Sequence, residues 1–80
     1  MVWLIKKEIK DGIIYYYYQI ENKGKFGLLF VNSKTGENGW IELAEDDEAD
    51  YDRWRQHAYH QIRQYIKENK FPEKDLVAWG

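Results

Sequence analysis

The stretch Ile9-Lys10-Asp11-Gly12-Ile13-Ile14-Tyr15-Tyr16-Tyr17-Tyr18-Gln19-Ile20 decides the fold. Asp-Gly between two runs rich in β-branched and aromatic residues signals a two-residue type I′ hairpin, because both central residues need positive φ. That turn pairs Lys10 with Ile13 and Ile9 with Ile14, and continued without interruption it sets Lys7 against Tyr16, Ile5 against Tyr18 and Trp3 against Ile20. Two further turns follow. Asn22-Lys23-Gly24 offers a glycine where a three-residue hairpin wants left-handed φ, closing Glu21 on Lys25 and pairing Tyr18 with Leu28. Lys34-Thr35-Gly36 repeats the device, closing Ser33 on Glu37 and pairing Phe30 with Trp40. Gly12, Gly24 and Gly36 are therefore the structural glycines, each expected at positive φ. The reading is a four-stranded antiparallel meander over about residues 2–9, 13–21, 25–32 and 38–43.

Alternation sorts the strand residues between two faces. One face collects Trp3, Ile5, Ile9, Ile14, Tyr16, Tyr18, Ile20, Phe26, Leu28, Phe30 and Trp40, interrupted by Lys7 and Glu42. This is the expected core face. The second collects Leu4, Ile13, Tyr15, Tyr17, Leu29, Val31, Ile41 and Leu43 together with Lys6, Glu8, Lys10, Gln19 and Lys25. A one-residue slip in any hairpin would exchange that strand's faces.

Beyond Ala44 the period changes. Six acidic residues fall between Glu45 and Asp52, and then Tyr51, Trp54, Ala58, Ile62, Tyr65 and Ile66 recur at spacings of three and four. This predicts a helix over about 47–69, acidic at its start and carrying Lys67 and Lys70 at its end, as the helix dipole favours. Phe71-Pro72 ends it, and the tail 70–80 has room for a short helical turn opened by Pro72. Four strands followed by a helix make a two-layer α+β domain of 80 residues, with the helix across one face of the meander.

Composition limits the chemistry. Hydrophobic residues make up 44% and aromatics 18%, a globular profile rather than a disordered one. The absence of cysteine removes disulfides, thiolate metal sites and a cysteine nucleophile. Ser33 and Thr35 are the hydroxyl nucleophiles, and both fall in a turn, where turn chemistry explains them. Lys34-Thr35-Gly36-Glu37 lacks the glycine frame of a phosphate loop. The acidic run lacks the glycine and terminal glutamate of a calcium loop. No cofactor or metal is implied. Met1–Ile5 is too short an apolar run for a secretory leader, and no stretch approaches the roughly 20 apolar residues of a membrane span. A soluble, cytoplasmic protein without membrane contact is expected.

His57 and His60 are the natural catalytic suspects. On a wheel measured from Tyr51 they fall at about 240° and 180°, outside the apolar arc. A small metal-independent nuclease would use them with Arg53, but a convex helix face gives neither shelter nor tuning. They are expected to be exposed and without carboxylate partners. Arg55 sits at about 40°, inside the apolar arc, and needs a partner. The sheet's expected core face offers Glu42; the alternative is an escape of the guanidinium to water past the helix flank.

The second sheet face carries the functional expectation. Lys6, Tyr15, Tyr17, Leu29, Val31, Ile41 and Leu43 form a surface too apolar to leave wet, suited to a protein partner or a homodimer. Tyrosines with strand lysines also suit a single-stranded nucleic acid. Charge disfavours the latter: residues 1–40 hold six lysines against four acids, and residues 41–80 hold six basic against ten acidic residues, where a clear basic stripe is the signature. A third use is cover by the chain's own tail through Phe71, Leu76, Val77 and Trp79. A non-enzymatic interaction domain is the expected function.

Overall fold

The structure, a computed structural model, describes residues 1–79. It is a small α+β fold with one antiparallel sheet and one helix. The strands are β1 (Val2–Lys10), β2 (Ile13–Ile20), β3 (Gly27–Asn32) and β4 (Asn38–Glu42), followed by α1 (Arg53–Glu68) and β5 (Lys74–Val77). The sheet therefore has five strands, not four, in the order β4-β3-β2-β1-β5. The tail makes the fifth strand instead of a helical turn, pairing Val2 with Val77 and Ile5 with Lys74 at the free edge of β1.

The Asp11-Gly12 turn forms as expected, with φ of 54° and 78°, and Gly24 and Gly36 also have positive φ. Three one-residue irregularities, one in each hairpin, and a further bulge that sets Leu28 against Glu42 but Leu29 against Trp40 then redistribute the faces. A bulge between Lys6 and Glu8 shifts β1, so that Leu4 faces Tyr18 and Val2 faces Ile20. The second hairpin turns at Glu21-Asn22, both at positive φ, with Lys23 N–H donating to the Ile20 carbonyl; Tyr18 then faces Gly27, not Leu28. In the third, the Asn32 side chain accepts from the Lys34 and Thr35 amides. That side-chain turn draws Asn32 into the loop closure with Glu37, so Phe30 faces Gly39 and Leu29 faces Trp40.

The helix consequently packs on Val2, Leu4, Ile14, Tyr16, Tyr18, Ile20, Leu29 and Val31 through Ala58, Tyr59, Ile62 and Tyr65. The face expected for β2 holds, as does that of β1 beyond the bulge, where Ile9 pairs with Ile14 but is 45% exposed; the faces expected for residues 2–6 and for β3 are exchanged. Leu29 and Val31, expected on the binding face, are core residues at 0% and 1% exposure. Trp40, expected in the core, is 44% exposed on the edge strand.

Buried tyrosines tie the loops to this core, since a phenol out of water seeks a partner. Tyr18 OH donates to Asp47 and accepts from the Ala44 amide. Tyr16 OH donates to the Pro72 carbonyl and Tyr65 OH to Asp75. The first pair fixes the chain entering α1; the second pair fixes the chain leaving it and so places β5. Burial, reinforced by neighbouring carboxylates, raises the pKa of Tyr16, Tyr18 and Tyr65. Tyr59 is raised as well, by burial against the opposing Arg55 charge.

Arg55 is buried at 3% exposure and does not reach water past the helix flank, but Glu42 is not its partner. Glu42 faces Leu28 on the other side of the sheet and is exposed. The guanidinium instead pairs with Asp47 at 2.8 Å and donates to the carbonyls of Glu48 and Ala49. Burial opposes the charge, yet the Asp47 hydrogen bond and charge hold the Arg55 pKa above its ordinary value. The same contacts explain why α1 begins at Arg53 rather than near residue 47. Asp47 is turned inward with its side chain fully buried, and the carbonyls after it are committed to Arg55. The helix ends as expected, at Asn69 with φ 55°.

Candidate functional site: the open face of the sheet

Three rows of cross-strand neighbours build the face opposite the helix. One runs Lys74, Ile5, Tyr17, Leu28 and Glu42 across all five strands. A second joins Glu8, Tyr15, Phe30 and Gly39, and a third joins Leu76, Trp3 and Gln19. Trp3, Ile5, Tyr15, Tyr17, Leu28 and Phe30 are all half-buried, shielding one another without being covered by another element among the described residues. Phe30 lies over Gly39, where a Cβ would meet the ring at 2.8 Å. The tail's apolar residues do not cover this face: Phe71, Val77 and Trp79 pack toward the helix-side core, and of the four expected to cover it Leu76 alone turns to the open side, beside Lys74.

The charges here are few and partly neutralised. Lys7 donates to Glu8 at 3.1 Å. That hydrogen bond and charge raise the Lys7 pKa, with smaller contributions from Tyr17 and Tyr15. Lys74 lies 5.0 Å over the Trp3 ring and has no carboxylate partner among the described residues. Beside it, Trp3, Ile5, Gln19, Asn22, Phe26 and Lys74 line a cleft of about 250 Å³.

Of the expected binding residues, Tyr15 and Tyr17 are on the open face. Ile41 is 57% exposed on β4, and Leu43 is half-buried just beyond that strand. Leu29 and Val31 are enclosed by the helix, for the register reason given above. Lys6 leaves the face too: the bulge turns it toward the tail, where it pairs with Glu73 and donates to the Phe71 carbonyl. Trp3, Ile5, Phe26, Leu28 and Phe30, expected in the core, take their places.

His60 is exposed as expected, but His57 is half-buried because it stacks on Trp79 with ring centroids 3.7 Å apart. Neither has a carboxylate partner among the described residues. Trp79 also meets Trp54, so His57 belongs to an aromatic cluster that holds the tail. Among the described residues no three His, Asp or Glu side chains converge as a metal site, and no helix is long and apolar enough to cross a membrane.

Fold and face define a small α+β domain with one covered and one uncovered sheet surface. No family model, curated protein or solved structure matches the chain.

Proposed function

We propose that this chain is a non-enzymatic binding domain whose open sheet face docks on another protein. The observation that carries the reading is the continuous surface of Trp3, Ile5, Tyr15, Tyr17, Leu28 and Phe30, backed by a separate, complete core. Five strands about 4.8 Å apart and five residues at about 3.3 Å give it a footprint near 400 Å², the scale at which an exposed apolar patch marks an interaction site. A standard protein interface takes about 800 Å² from each partner, so the contact extends past the face onto its surroundings. Aromatic residues are the usual anchors of such contacts.

Single-stranded nucleic acid is the second reading, favoured by Tyr15 and Tyr17 on an open sheet. Two features weigh against it. Lys7, a cation that interacts with those rings, is paired with Glu8, and Lys6 points elsewhere. A photo-crosslinking residue in place of Tyr17 separates the two in the source cell, with Arg63 on the exposed helix side as the control position. The reading expects adducts at position 17 that protease digests and nuclease leaves intact, with few at 63. Nuclease-sensitive adducts, or equal yields at both positions, would overturn it.

A further inference from the structure

The cleft at the corner of the open face has a specific chemistry. At about 250 Å³ it is smaller than the roughly 300–1,000 Å³ of a pocket that encloses a whole small molecule, and suits one inserted side chain. Trp3 and Phe26 give it aromatic walls and Ile5 an apolar one. Gln19 Nε2 donates to the Gly24 carbonyl at 2.7 Å, which leaves the Gln19 carbonyl free to accept a hydrogen bond. Lys74 stands at the rim as a cation without a carboxylate partner among the described residues. The complementary group is an aromatic side chain bearing a hydroxyl, with carboxylates beside it.

The chain itself carries that group. Asp50-Tyr51-Asp52 lies in the loop before α1, and Tyr51 is 50% exposed. A tight turn presents it: Tyr51 bridges Glu48, its amide donating to the Glu48 carbonyl at 3.2 Å. Nothing in the core requires Tyr51, unlike the buried tyrosines at 16, 18, 59 and 65.

We propose that the cleft of one copy receives Tyr51 of a second copy, with Lys74 facing Asp50 and Asp52. This rests on reading the open face as a protein-docking surface and names the partner. The start of that loop lies near the cleft, since the Glu45 amide donates to the Lys25 carbonyl and the Glu45 side chain packs beside Gly24. Because one chain carries both the cleft and Tyr51, two copies can exchange them reciprocally about a two-fold axis, which closes the assembly at a dimer. The loop also adds contact area that the sheet face alone lacks.

Light scattering from micromolar to millimolar protein tests this, with circular dichroism confirming that each variant is folded. Wild type is expected to rise to twice the monomer mass. Tyr51→Ala and Lys74→Glu should each stay monomeric over the range in which wild type pairs. Mixing the two should restore association above either alone, because one intact cleft then meets one intact Tyr51. Wild type that stays monomeric at every concentration overturns the proposal, as does a dimer indifferent to Tyr51→Ala. If that dimer is broken by Tyr17→Glu, the open face is still the docking surface and only the Tyr51 contact fails. A monomer whose position 17 crosslinks to a different protein likewise sinks the self-pairing and spares the functional reading.

Discussion

Replacing Asp47 with alanine should be among the most damaging single changes this chain can suffer. The Asp47 side chain is fully buried, and its carboxylate accepts from Arg55 Nη1 at 2.8 Å and from Tyr18 OH at 2.6 Å. Removing it strands a guanidinium that is itself 3% exposed. The Glu48 and Ala49 carbonyls satisfy two donors but supply no countercharge. Breaking one side of a buried pair typically costs about 3–5 kcal/mol. A domain of 80 residues has roughly 4–12 kcal/mol of total stability, so Asp47→Ala consumes a large share of it. Urea unfolding followed by tryptophan fluorescence and by far-ultraviolet circular dichroism measures the loss. Even a 3 kcal/mol loss lowers the melting temperature by roughly 12–24 °C in a domain this small. Asp47→Asn should fall between, because the amide oxygen still accepts from Tyr18 while the charge is gone. Glu42→Ala is the matched control, expected within about 0.5 kcal/mol of wild type because Glu42 is exposed. Equal losses for Glu42→Ala and Asp47→Ala, or a loss below about 1 kcal/mol for Asp47→Ala, would refute the assignment of Arg55's partner.

Other outcomes follow from the same contacts. Gly27→Ala should destabilise by about 1–3 kcal/mol or more, since its Cβ would meet the Ala44 amide nitrogen at 2.3 Å and the Glu42 carbonyl at 2.5 Å; Gly36→Ala, with open space but φ +80°, should cost only about 1–2 kcal/mol in the same denaturation assay. Tyr65→Phe leaves the Asp75 carboxylate without its phenol donor, so amides of β5 should lose hydrogen-exchange protection at a stability cost of about 1–3 kcal/mol. Tyr16, Tyr18, Tyr59 and Tyr65 have folded-state pKa values raised above the unfolded value near 10. Above that pH the unfolded chain binds fewer protons than the folded one, so stability is fully present below pH 10 and declines as pH rises past it. Absorbance at 295 nm should show these four phenols ionising together with unfolding, not before it.

What the sequence concealed has a physical cause. Residues 2–5 and 13–18 are apolar or aromatic at every position, so alternation could not say which half faces the helix. Only register could decide, and each of the first three hairpins departs from regular pairing by one residue. The Asn32 side-chain turn was legible in principle, because asparagine before a loop commonly closes one. The bulge at Lys6–Glu8 had no such signature. β2 was placed correctly because the core and the Asp11-Gly12 turn are both built around it. The wheel position of Arg55 marked it as a cation needing either a partner or an escape to water, and did not decide between them. The partner was not legible, since the acidic run read as helix and only the irregular loop turns Asp47 inward. The fifth strand escaped because Lys74–Val77 has no long apolar run; Tyr16, far away in sequence, and Tyr65, on the helix before it, hold it in place. For the site, Tyr15 and Tyr17 were found, whereas Trp3, Ile5, Leu28 and Phe30 were missed by the same slips that buried Leu29 and Val31.

Hydroxyl-radical footprinting inside the source cell, set against dilute purified protein, asks most directly whether the open face is covered in use. Trp40, 44% exposed on the β4 edge, is the internal reference. The account predicts that Trp3, Tyr15, Tyr17 and Phe30 are oxidised readily in the dilute protein and protected in the cell, relative to Trp40. Equal oxidation of those four aromatics in both settings would contradict it.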